Sequence, residues 1–378
     1  MLAYDIIFYV TDDTRHAPYT IQGLLKLAEN GIVKLQFEPA SYQRDNRVTV
    51  SEDGICSRNY RPYPWSPELL ITEIATGNQV KMAVDLQDWD QMFSYHSLEN
   101  CDIIFKRAYT SKASLVSKEF NIPILPAGIN HSAIINSLEF KEALKNHQRW
   151  NKIQYAIYNP REIWRYLKEK IKKKKQSNSI SPQPKSENEY LQSPPSTPYV
   201  FFQVEFHNWN NKESIKINKT RAEIIRTLRK ELGTKFVGGM YFKNGVNPEY
   251  ADCLTNVPSK REIYLQFVKE STVVICSNGF GDSIPWKLPE YLQIGKCIVA
   301  ETLAHKVPVA FSTNEILFFD NINQCVAHSN SLLADKERRS IMEKESKEYY
   351  EKNILPENSL LRMIKQSFEI VHPVNSSK

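Results

Sequence analysis

Apolar and polar positions along the first part of the chain alternate with the periods of strands and helices. A short, mainly apolar run from Tyr4 to Val10 is followed at once by Thr-Asp-Asp-Thr, a pattern typical of a buried strand, here predicted from Asp5 to Val10, and its loop. Pro18 can open a helix that Asn30-Gly31 ends, and residues 32–37 then return as a strand. Further strands are predicted at 80–84 and 102–105. This order predicts an α/β domain over residues 1–145.

The alternation of strands and helices resumes at Tyr199. Strands are predicted at 200–206 and 235–240, with a helix at 220–232 between them that Thr220 caps and Gly233 ends. A helix at 261–269 then precedes a strand at 272–276, a loop with two glycines, a short helix ending at Gly295, and a strand at 297–300. The expected fold class is therefore α/β, with a second α/β domain over residues 199–355 and a final helix within residues 356–378.

Length and composition agree with two domains. The chain has 378 residues, of which 41% are hydrophobic, so it can bury more than one core. No secretory signal is evident, and no apolar run approaches the roughly 20 residues that cross a bilayer. Six cysteines are scattered without a CxxC pair, which favours reduced thiols over disulfides or a zinc site. We therefore expect a cytoplasmic protein, soluble or peripheral on a membrane.

Positive charge is concentrated in the segment between the two domains, residues 146–198. Residues 149–175 carry ten cations and two carboxylates, a net charge of +8, whereas the whole chain carries +6. Aromatic residues such as Trp150, Trp164 and Tyr166 interleave with them, a pattern typical of a helix on an anionic membrane, where each cation contributes about 1 kcal/mol. A solvated helix packed on its own domain is the alternative. Residues 176–198, rich in Ser, Pro, Asn and Gln, are predicted to be a flexible linker.

Residues 278–302 are the most informative stretch for function. They read NGFGDSIPWKLPEYLQIGKCIVAET, which continues the predicted order of strand, glycine loop, helix and strand. Such a unit places a nucleotide at the carboxyl edge of a parallel sheet. Asp282 in the loop and Glu290 in the helix have seven residues between them, a spacing that can aim both carboxylates into one cleft.

This stretch resembles the donor segment of the two-domain GT-B glycosyltransferases, above all the retaining families with a Glu-x7-Glu motif. The shared order is Gly-Phe-Gly-acid, an acid within the helix, and Gly-Lys-x-Ile-Val; here the first acid is Asp282 instead of Glu. The resemblance implies two Rossmann-like domains facing a cleft. It also implies a UDP- or GDP-sugar as substrate with no further cofactor, Glu290 on the ribose hydroxyls, and Asp282 on the donor sugar.

Further residues are assigned to the donor through this resemblance and through a predicted helix start. Lys287 occupies the place of a basic residue that contacts the diphosphate or nucleotide in the family. Lys219 and Arg221 flank the predicted cap Thr220, and a helix amino terminus with adjacent cations favours a diphosphate. The predicted nucleotide-sugar-binding residues are Gly279, Phe280, Gly281, Ser283, Lys287, Glu290, Lys219 and Arg221. The scheme requires no metal.

Polar residues that follow the predicted strands of the first domain are candidates for an acceptor cleft. Retaining chemistry would use the donor's own phosphate, whereas inverting chemistry needs a base, for which Asp13, His16 and Asp85 are the candidates. Asp282 is the remaining catalytic candidate. Asp12, Asp88 and Arg107 could line the same cleft, with ordinary solvated loop charge as the alternative for each of these residues.

We therefore expect a metal-independent glycosyltransferase, more in keeping with the retaining than the inverting branch. It would move a sugar from a nucleotide-diphosphate sugar to a glycan or lipid-linked saccharide in the assembly of a cell-surface polysaccharide such as lipopolysaccharide. Two alternatives stay open: a nucleic-acid-binding protein that uses the basic segment, and a catalytically silent relative that binds a nucleotide or glycan. Nucleic acid is the less favoured partner, because no recognised RNA-binding motif accompanies the basic residues.

Overall fold

The structure, a computed structural model, describes residues 2–11, 17–40, 47–59, 65–131, 133, 135–158, 193–209, 211–243 and 245–373. The chain divides into two compact units. The first contains Met1–Ser179, His305–Pro308 and Ile354–Lys378, and the second contains Ile180–Ala304 and Val309–Asn353. Within the described residues, no helix combines the length and the apolar composition of a membrane span.

The first unit is built on a six-stranded sheet with a smaller three-stranded sheet beside it. The strands of the large sheet are, in chain order, β1 (Tyr4–Val10), β2 (Val33–Pro39), β5 (Glu68–Glu73), β6 (Gln79–Asp85), β8 (Ile103–Lys106) and β9 (Ile124–Pro126). The strands of the small sheet are β3 (Arg47–Val50), β4 (Cys56–Asn59) and β7 (Met92–Ser94). The order of the large sheet is β2-β1-β5-β6-β8-β9.

Strand β5 makes this large sheet mixed instead of purely parallel. It runs antiparallel to both of its neighbours, β1 and β6, whereas the other pairs in the sheet are parallel. β5 and β6 form a hairpin whose turn contains Gly77 with a φ of 76°, a conformation that suits glycine. The predicted strands at 5–10, 32–37, 80–84 and 102–105 are confirmed, but β5 was missed.

The core of the first unit combines β1 with helices from both ends of the chain. The unit's helices are α1 (Ala17–Glu29), α2 (Tyr95–Asn100), α3 (Ser111–Phe120), α4 (Leu138–Tyr158) and the C-terminal helix (Pro356–Val371). Leu360 and Ile364 of the C-terminal helix are buried with Ile6 and Phe8 of β1. At Gly23 of α1, an added Cβ would lie 2.5 Å from the Pro356 carbonyl oxygen, so glycine permits the close approach of the two helices.

Helix α4 continues through the boundary that the sequence predicts between residues 145 and 146. The helix predicted at 161–175 and most of the predicted linker lie outside the described residues.

The second unit carries a five-stranded sheet in which all neighbouring pairs are parallel, in the order β11-β10-β12-β13-β14. Its strands are β10 (Val200–Glu205), β11 (Phe236–Tyr241), β12 (Val273–Cys276), β13 (Cys297–Glu301) and β14 (Ile316–Phe319). Its helices are α5 (Lys212–Leu232), α6 (Arg261–Glu270), α7 (Leu288–Ile294), α8 (Ile322–Ala334) and α9 (Lys336–Tyr349). β10, β12 and β13 are buried nearly throughout, as strands covered on both faces are. The four strands predicted here are confirmed.

The start of α5 corrects one prediction. The helix begins at Lys212, because the Asn211 side chain accepts a hydrogen bond of 2.8 Å from the Ser214 backbone N–H and caps it there. Thr220 is not a cap: its hydroxyl donates to the Lys216 carbonyl one turn earlier, as a mid-helix threonine does. Lys219 and Arg221 therefore lie inside the helix and not at its amino terminus, so the prediction that they flank a helix start was wrong.

Candidate functional site

Polar side chains collect at the carboxyl edge of the second unit's parallel sheet, where ligands of such sheets bind. They include Glu205 at the end of β10 and His207 after it, Ser277 and Asn278 after β12, and Glu301 at the end of β13. Within the described residues, Ser277 Oγ and Asn278 Oδ1 are buried and have no hydrogen-bond partner. Buried polar atoms in folded proteins are almost always hydrogen-bonded. These two atoms are therefore available to hydrogen-bond a polar ligand at this edge of the sheet.

Two cations lie at this edge, Arg221, which is buried, and Lys287, which is partly buried. Arg221 is 8% exposed, donates from Nη1 to the Glu205 carbonyl at 2.8 Å, and has no partner for its buried Nε in the part of the chain that the structure describes. Lys287 donates from Nζ to the Gln203 carbonyl, and its Nζ lies 4.7 Å from the centre of the Tyr264 ring. Among the described residues, neither cation forms an ion pair with a carboxylate.

The lowered pKa of each cation shows that its position in the structure disfavours the charged form. Burial, with the nearby positive charge of Arg221, lowers the pKa of Lys287 to about 8, and burial lowers the pKa of Arg221 to about 10. Charged groups are expensive to bury unless an opposite charge compensates them. An anion bound between the two would supply that charge.

The two predicted donor carboxylates, Asp282 and Glu290, are each held by a cation. Asp282 accepts two hydrogen bonds of 2.8 and 2.9 Å from Lys216 Nζ. Glu290, in the first turn of α7, accepts two from the Arg261 guanidinium at 2.6 and 3.0 Å. Each oxygen keeps a further lone pair for a ligand hydroxyl. The structure thus places both carboxylates in the segment that follows β12, with their orientation fixed by ion pairs.

The loop that carries Asp282 is a tight turn built on glycine. An added Cβ at Gly279 would lie 2.6 Å from Ser283 Oγ, and the Gly279 N–H donates to the Ser283 carbonyl at 2.8 Å. Gly281 and Asp282 follow one another in the left-handed region, with φ of 65° and 56°. Aspartate tolerates this backbone conformation better than glutamate, because its short polar side chain can bond locally. The geometry thus gives a reason for Asp at the position where the resembled families have Glu.

An aromatic cluster that sequence reasoning missed lies beside this loop. Trp209, which is 59% exposed, stacks on His207 with ring centres 5.5 Å apart and meets Phe280 edge-on at 5.3 Å. Burial, together with the charge of Arg221, lowers the pKa of His207, which keeps its ring neutral at pH 7. The sequence feature that could have indicated this cluster is His-Asn-Trp, residues 207–209, directly after the predicted strand at 200–206.

The position of the basic residues on α5 also differs from expectation. Lys219 is exposed and makes no described contact with the loop, whereas Lys216 reaches Asp282 and Arg221 reaches Glu205. Residues 217, 218 and 221 share the buried face of the helix. If the helix is counted from Asn211 with 3.6 residues per turn, Arg221 falls on the buried face and Lys219 on the exposed face.

The candidates in the first unit have mixed outcomes. Asp13 and His16, with Asp12, lie outside the described residues. Asp85 is 1% exposed, and its Oδ2 lies 3.3 Å from Nζ of the fully buried Lys106. Arg107 is buried and pairs with Asp88. The alternative of solvated loop charge is therefore wrong for Asp85 and Arg107, which belong to buried ion pairs. Within the described residues, no group of three or more His, Cys, Asp or Glu side chains is arranged to hold a metal ion.

No protein-family model and no curated protein matches the sequence. Solved structures that align with it include a glycosyltransferase from Rickettsia africae ESF-5, at 12% identity and a TM-score of 0.36 over 73% of this chain and 78% of that chain. TarM aligns at 9% identity and a TM-score of 0.39 over 96% and 97% of the two chains.

WaaG, a glycosyltransferase involved in lipopolysaccharide biosynthesis, aligns at 11% identity and a TM-score of 0.35 over 72% of this chain and 63% of that chain. Similarities of this size assign no family, so the function proposed below rests on the residues of this chain.

Proposed function

We propose that this protein is a glycosyltransferase whose second unit binds a nucleotide-diphosphate sugar. The observation that carries the proposal is a pair of cations, the buried Arg221 and the partly buried Lys287, at the carboxyl edge of a parallel sheet without an ion-paired carboxylate in the described residues. A diphosphate gains negative charge as the bond to the sugar breaks. Cations that are already fixed in a buried site stabilise this charge without reorganising at that moment.

The carboxylates would recognise the rest of the donor. A carboxylate accepts two hydrogen bonds from a vicinal diol, which suits Glu290 to the ribose and Asp282 to the sugar, in agreement with the resemblance of residues 278–302. The ion pairs with Arg261 and Lys216 would hold these side chains in position while ligand hydroxyls take the remaining lone pairs. Neither step requires a metal. Same-face attack assisted by the donor phosphate is the favoured stereochemical course.

A panel of ligands tests the donor assignment. We expect UDP or GDP to raise the melting temperature, whereas a salt-sensitive gain with RNA alone would support the nucleic-acid alternative. Glu290→Ala should weaken nucleotide binding by about 1.5–3 kcal/mol, because two ribose hydroxyls lose their acceptor. Glu262→Ala removes an exposed carboxylate on α6 and serves as the matched control. Unchanged nucleotide affinity in a folded Glu290→Ala variant would remove the assignment.

Asp282 separates nucleotide binding from sugar transfer. If its carboxylate contacts the sugar, Asp282→Ala should bind free UDP or GDP nearly as the wild type does, while transfer falls. Equal loss of nucleotide affinity in both variants would place Asp282 on the nucleotide instead.

The acceptor we propose is a glycan or lipid-linked saccharide at an anionic membrane, on the strength of the charge of residues 149–175. Replacing Lys172, Lys173, Lys174 and Lys175 together by Gln should reduce sedimentation with anionic vesicles at low salt and leave binding of UDP or GDP unchanged. Equal sedimentation of the two forms would contradict the membrane proposal without affecting the donor site.

A further inference from the structure

A polar cavity lies within the first unit, among groups that the donor chemistry does not use. Its volume is about 180 Å³, and its lining includes Tyr9, Thr11, Ser66, Glu68, Lys81 and His96. These residues come from β1 and the residue after it, from β5 and the residues before it, from β6, and from α2. Side chains of separate elements therefore converge on one space.

Glu68 is the centre of this group. It is 5% exposed, and its Oε1 accepts hydrogen bonds from His96 Nδ1 at 2.8 Å and Ser97 Oγ at 3.0 Å, while its Oε2 lies 2.9 Å from Lys81 Nζ. Burial alone would raise the pKa of Glu68, but the hydrogen bonds and charges of His96 and Lys81 outweigh burial and hold the pKa below its ordinary value. The wall of the cavity thus contains an ionised carboxylate, both oxygens of which already have a hydrogen-bonded or ion-paired partner.

This carboxylate fixes the orientation of His96. Because an ionised carboxylate only accepts hydrogen bonds, His96 Nδ1 is the donor to Glu68, and Nε2 is the ring nitrogen left for a ligand: an acceptor in the neutral imidazole and a donor in the protonated one. Among the described residues, none is hydrogen-bonded to Nε2. The side chains of His96 and Lys81 are each 28% exposed, so both are accessible from solvent. Lys81 has N–H groups beyond the one that faces Glu68.

We propose that this cavity binds a neutral polyhydroxyl ligand about the size of one sugar ring, whose hydroxyls form hydrogen bonds with His96 Nε2 and accept them from Lys81 Nζ. A cavity of about 150 Å³ holds benzene in another protein, so the present volume suits a six-membered ring with some of its substituents. A neutral ligand fits because Glu68 already compensates the charge of Lys81. The hydroxyls of Tyr9 and Ser66 add further polar contacts.

The identification of this ligand with the acceptor saccharide rests on the proposed function, whereas the binding site itself does not. The cavity belongs to the described part of the first unit, and the nucleotide-binding residues belong to the second. Sugar binding and nucleotide binding can therefore be measured separately on the same full-length chain.

The test uses the full chain labelled with ¹⁵N at histidine, with the His96 signals assigned through His96→Gln. The probes are D-glucose, D-galactose and N-acetyl-D-glucosamine, with inorganic phosphate as the anionic comparison. We expect a saturable shift of the His96 Nε2 resonance with at least one sugar and none with phosphate. Tyr9→Phe, which removes one hydroxyl and keeps the ring, should weaken that sugar about two- to tenfold. Tyr109→Phe, on a tyrosine outside the cavity lining, should not.

Three outcomes would overturn the inference: no saturable shift with any of the sugars, an equal response to phosphate, or sugar affinity unchanged in both Tyr9→Phe and His96→Gln. A response to UDP or GDP without any sugar shift would also overturn it, and would leave the proposed function standing. A sugar shift in a protein that binds no nucleotide would support the cavity and count against the transferase.

Discussion

The two units bury charge in opposite ways. In the first unit, Lys106 is fully buried beside Asp85, which is itself 1% exposed. In the second unit, Arg221 is buried and Lys287 lies partly buried near it, and neither is paired with a carboxylate in the described residues. A pair that is complete within the protein needs nothing more, whereas two neighbouring cations gain from an external anion. A buried charge therefore indicates a ligand site where no carboxylate forms an ion pair with it, as for Arg221, which the charges of Glu301 and Glu205 favour without pairing with it.

Another buried cation shows that the partner of a buried charge is not always a carboxylate. Lys296 in the second unit is 6% exposed and donates to the backbone carbonyls of Lys269 and Ser271, at the carboxyl end of α6. The dipole of a helix favours a cation at this end. Lys287, in contrast, directly precedes α7 at the amino end of that helix, where the dipole disfavours a cation, and the positive charge of Arg221 lowers its pKa further. This difference separates the proposed diphosphate site from a structural lysine.

The largest effect should come from breaking the pair in the first unit. Asp85→Asn leaves the Lys106 ammonium buried without its counter-charge, and we expect a loss of about 3–5 kcal/mol in the free energy of unfolding, measured by chemical denaturation. Asp5→Asn is the matched control, because Asp5 pairs with Lys34 at 3.2 Å in an exposed position and should cost less than about 1 kcal/mol. Equal losses in the two variants would contradict the comparison.

Removing Lys287 of the second unit should have a smaller effect, on nucleotide affinity instead of the free energy of unfolding. Lys287→Met removes a cation that contributes a charge-assisted hydrogen bond of about 1.5–3 kcal/mol to a bound diphosphate, so the UDP or GDP dissociation constant measured by calorimetry should rise. The denaturation midpoint should change far less than in Asp85→Asn, because repulsion from Arg221 is relieved. Lys219→Met, on an exposed position of α5, should alter neither quantity. Nucleotide affinity equal to that of the wild type would show that Arg221 and Lys287 serve another purpose.

The pH dependence of nucleotide binding sharpens the same comparison. A diphosphate binds the protonated lysine, and the pKa of Lys287 in the free protein is about 8, lowered by burial and Arg221 and opposed by Cys276 and Glu290. Affinity should therefore be level below pH 8 and fall above it by up to about tenfold per pH unit, or about 1.4 kcal/mol.

The free energy of unfolding should rise with pH above pH 8, where nucleotide affinity falls. The unfolded state holds the Lys287 proton more tightly than the folded state, so the contribution of this group to stability rises between pH 8 and the ordinary lysine pKa. Lys287→Met should abolish both trends. A wild-type nucleotide affinity that stays level to pH 9.5 would contradict a role for this ammonium in binding.

The predictions from sequence succeeded where local patterns are decisive and failed where a distant contact decides. The strands at 200–206, 272–276 and 297–300 are mainly apolar runs, typical of strands covered on both faces, and they were predicted closely. The start of α5 was missed, because the polar run after Asn211 gives a weak apolar period. The hairpin partner β5 was missed although Thr-Gly-Asn marks its turn, since a βαβ pattern was assumed throughout.

For the candidate site, the sequence by itself determined the segment and the residue types: the glycine turn, Asp282, Lys287 and Glu290 are all visible in one stretch of chain. Only the tertiary structure decided which side chains meet them. Arg221, Lys216 and Arg261 come from helices far along the chain, and their partners are set by the register of packed elements. The same holds for Asp85, whose role changed from an open loop residue to half of a buried pair. The residue types of a site can be predicted from neighbouring positions in the sequence. Whether a charged side chain is compensated depends on which other charged groups folding brings within a few ångströms of it.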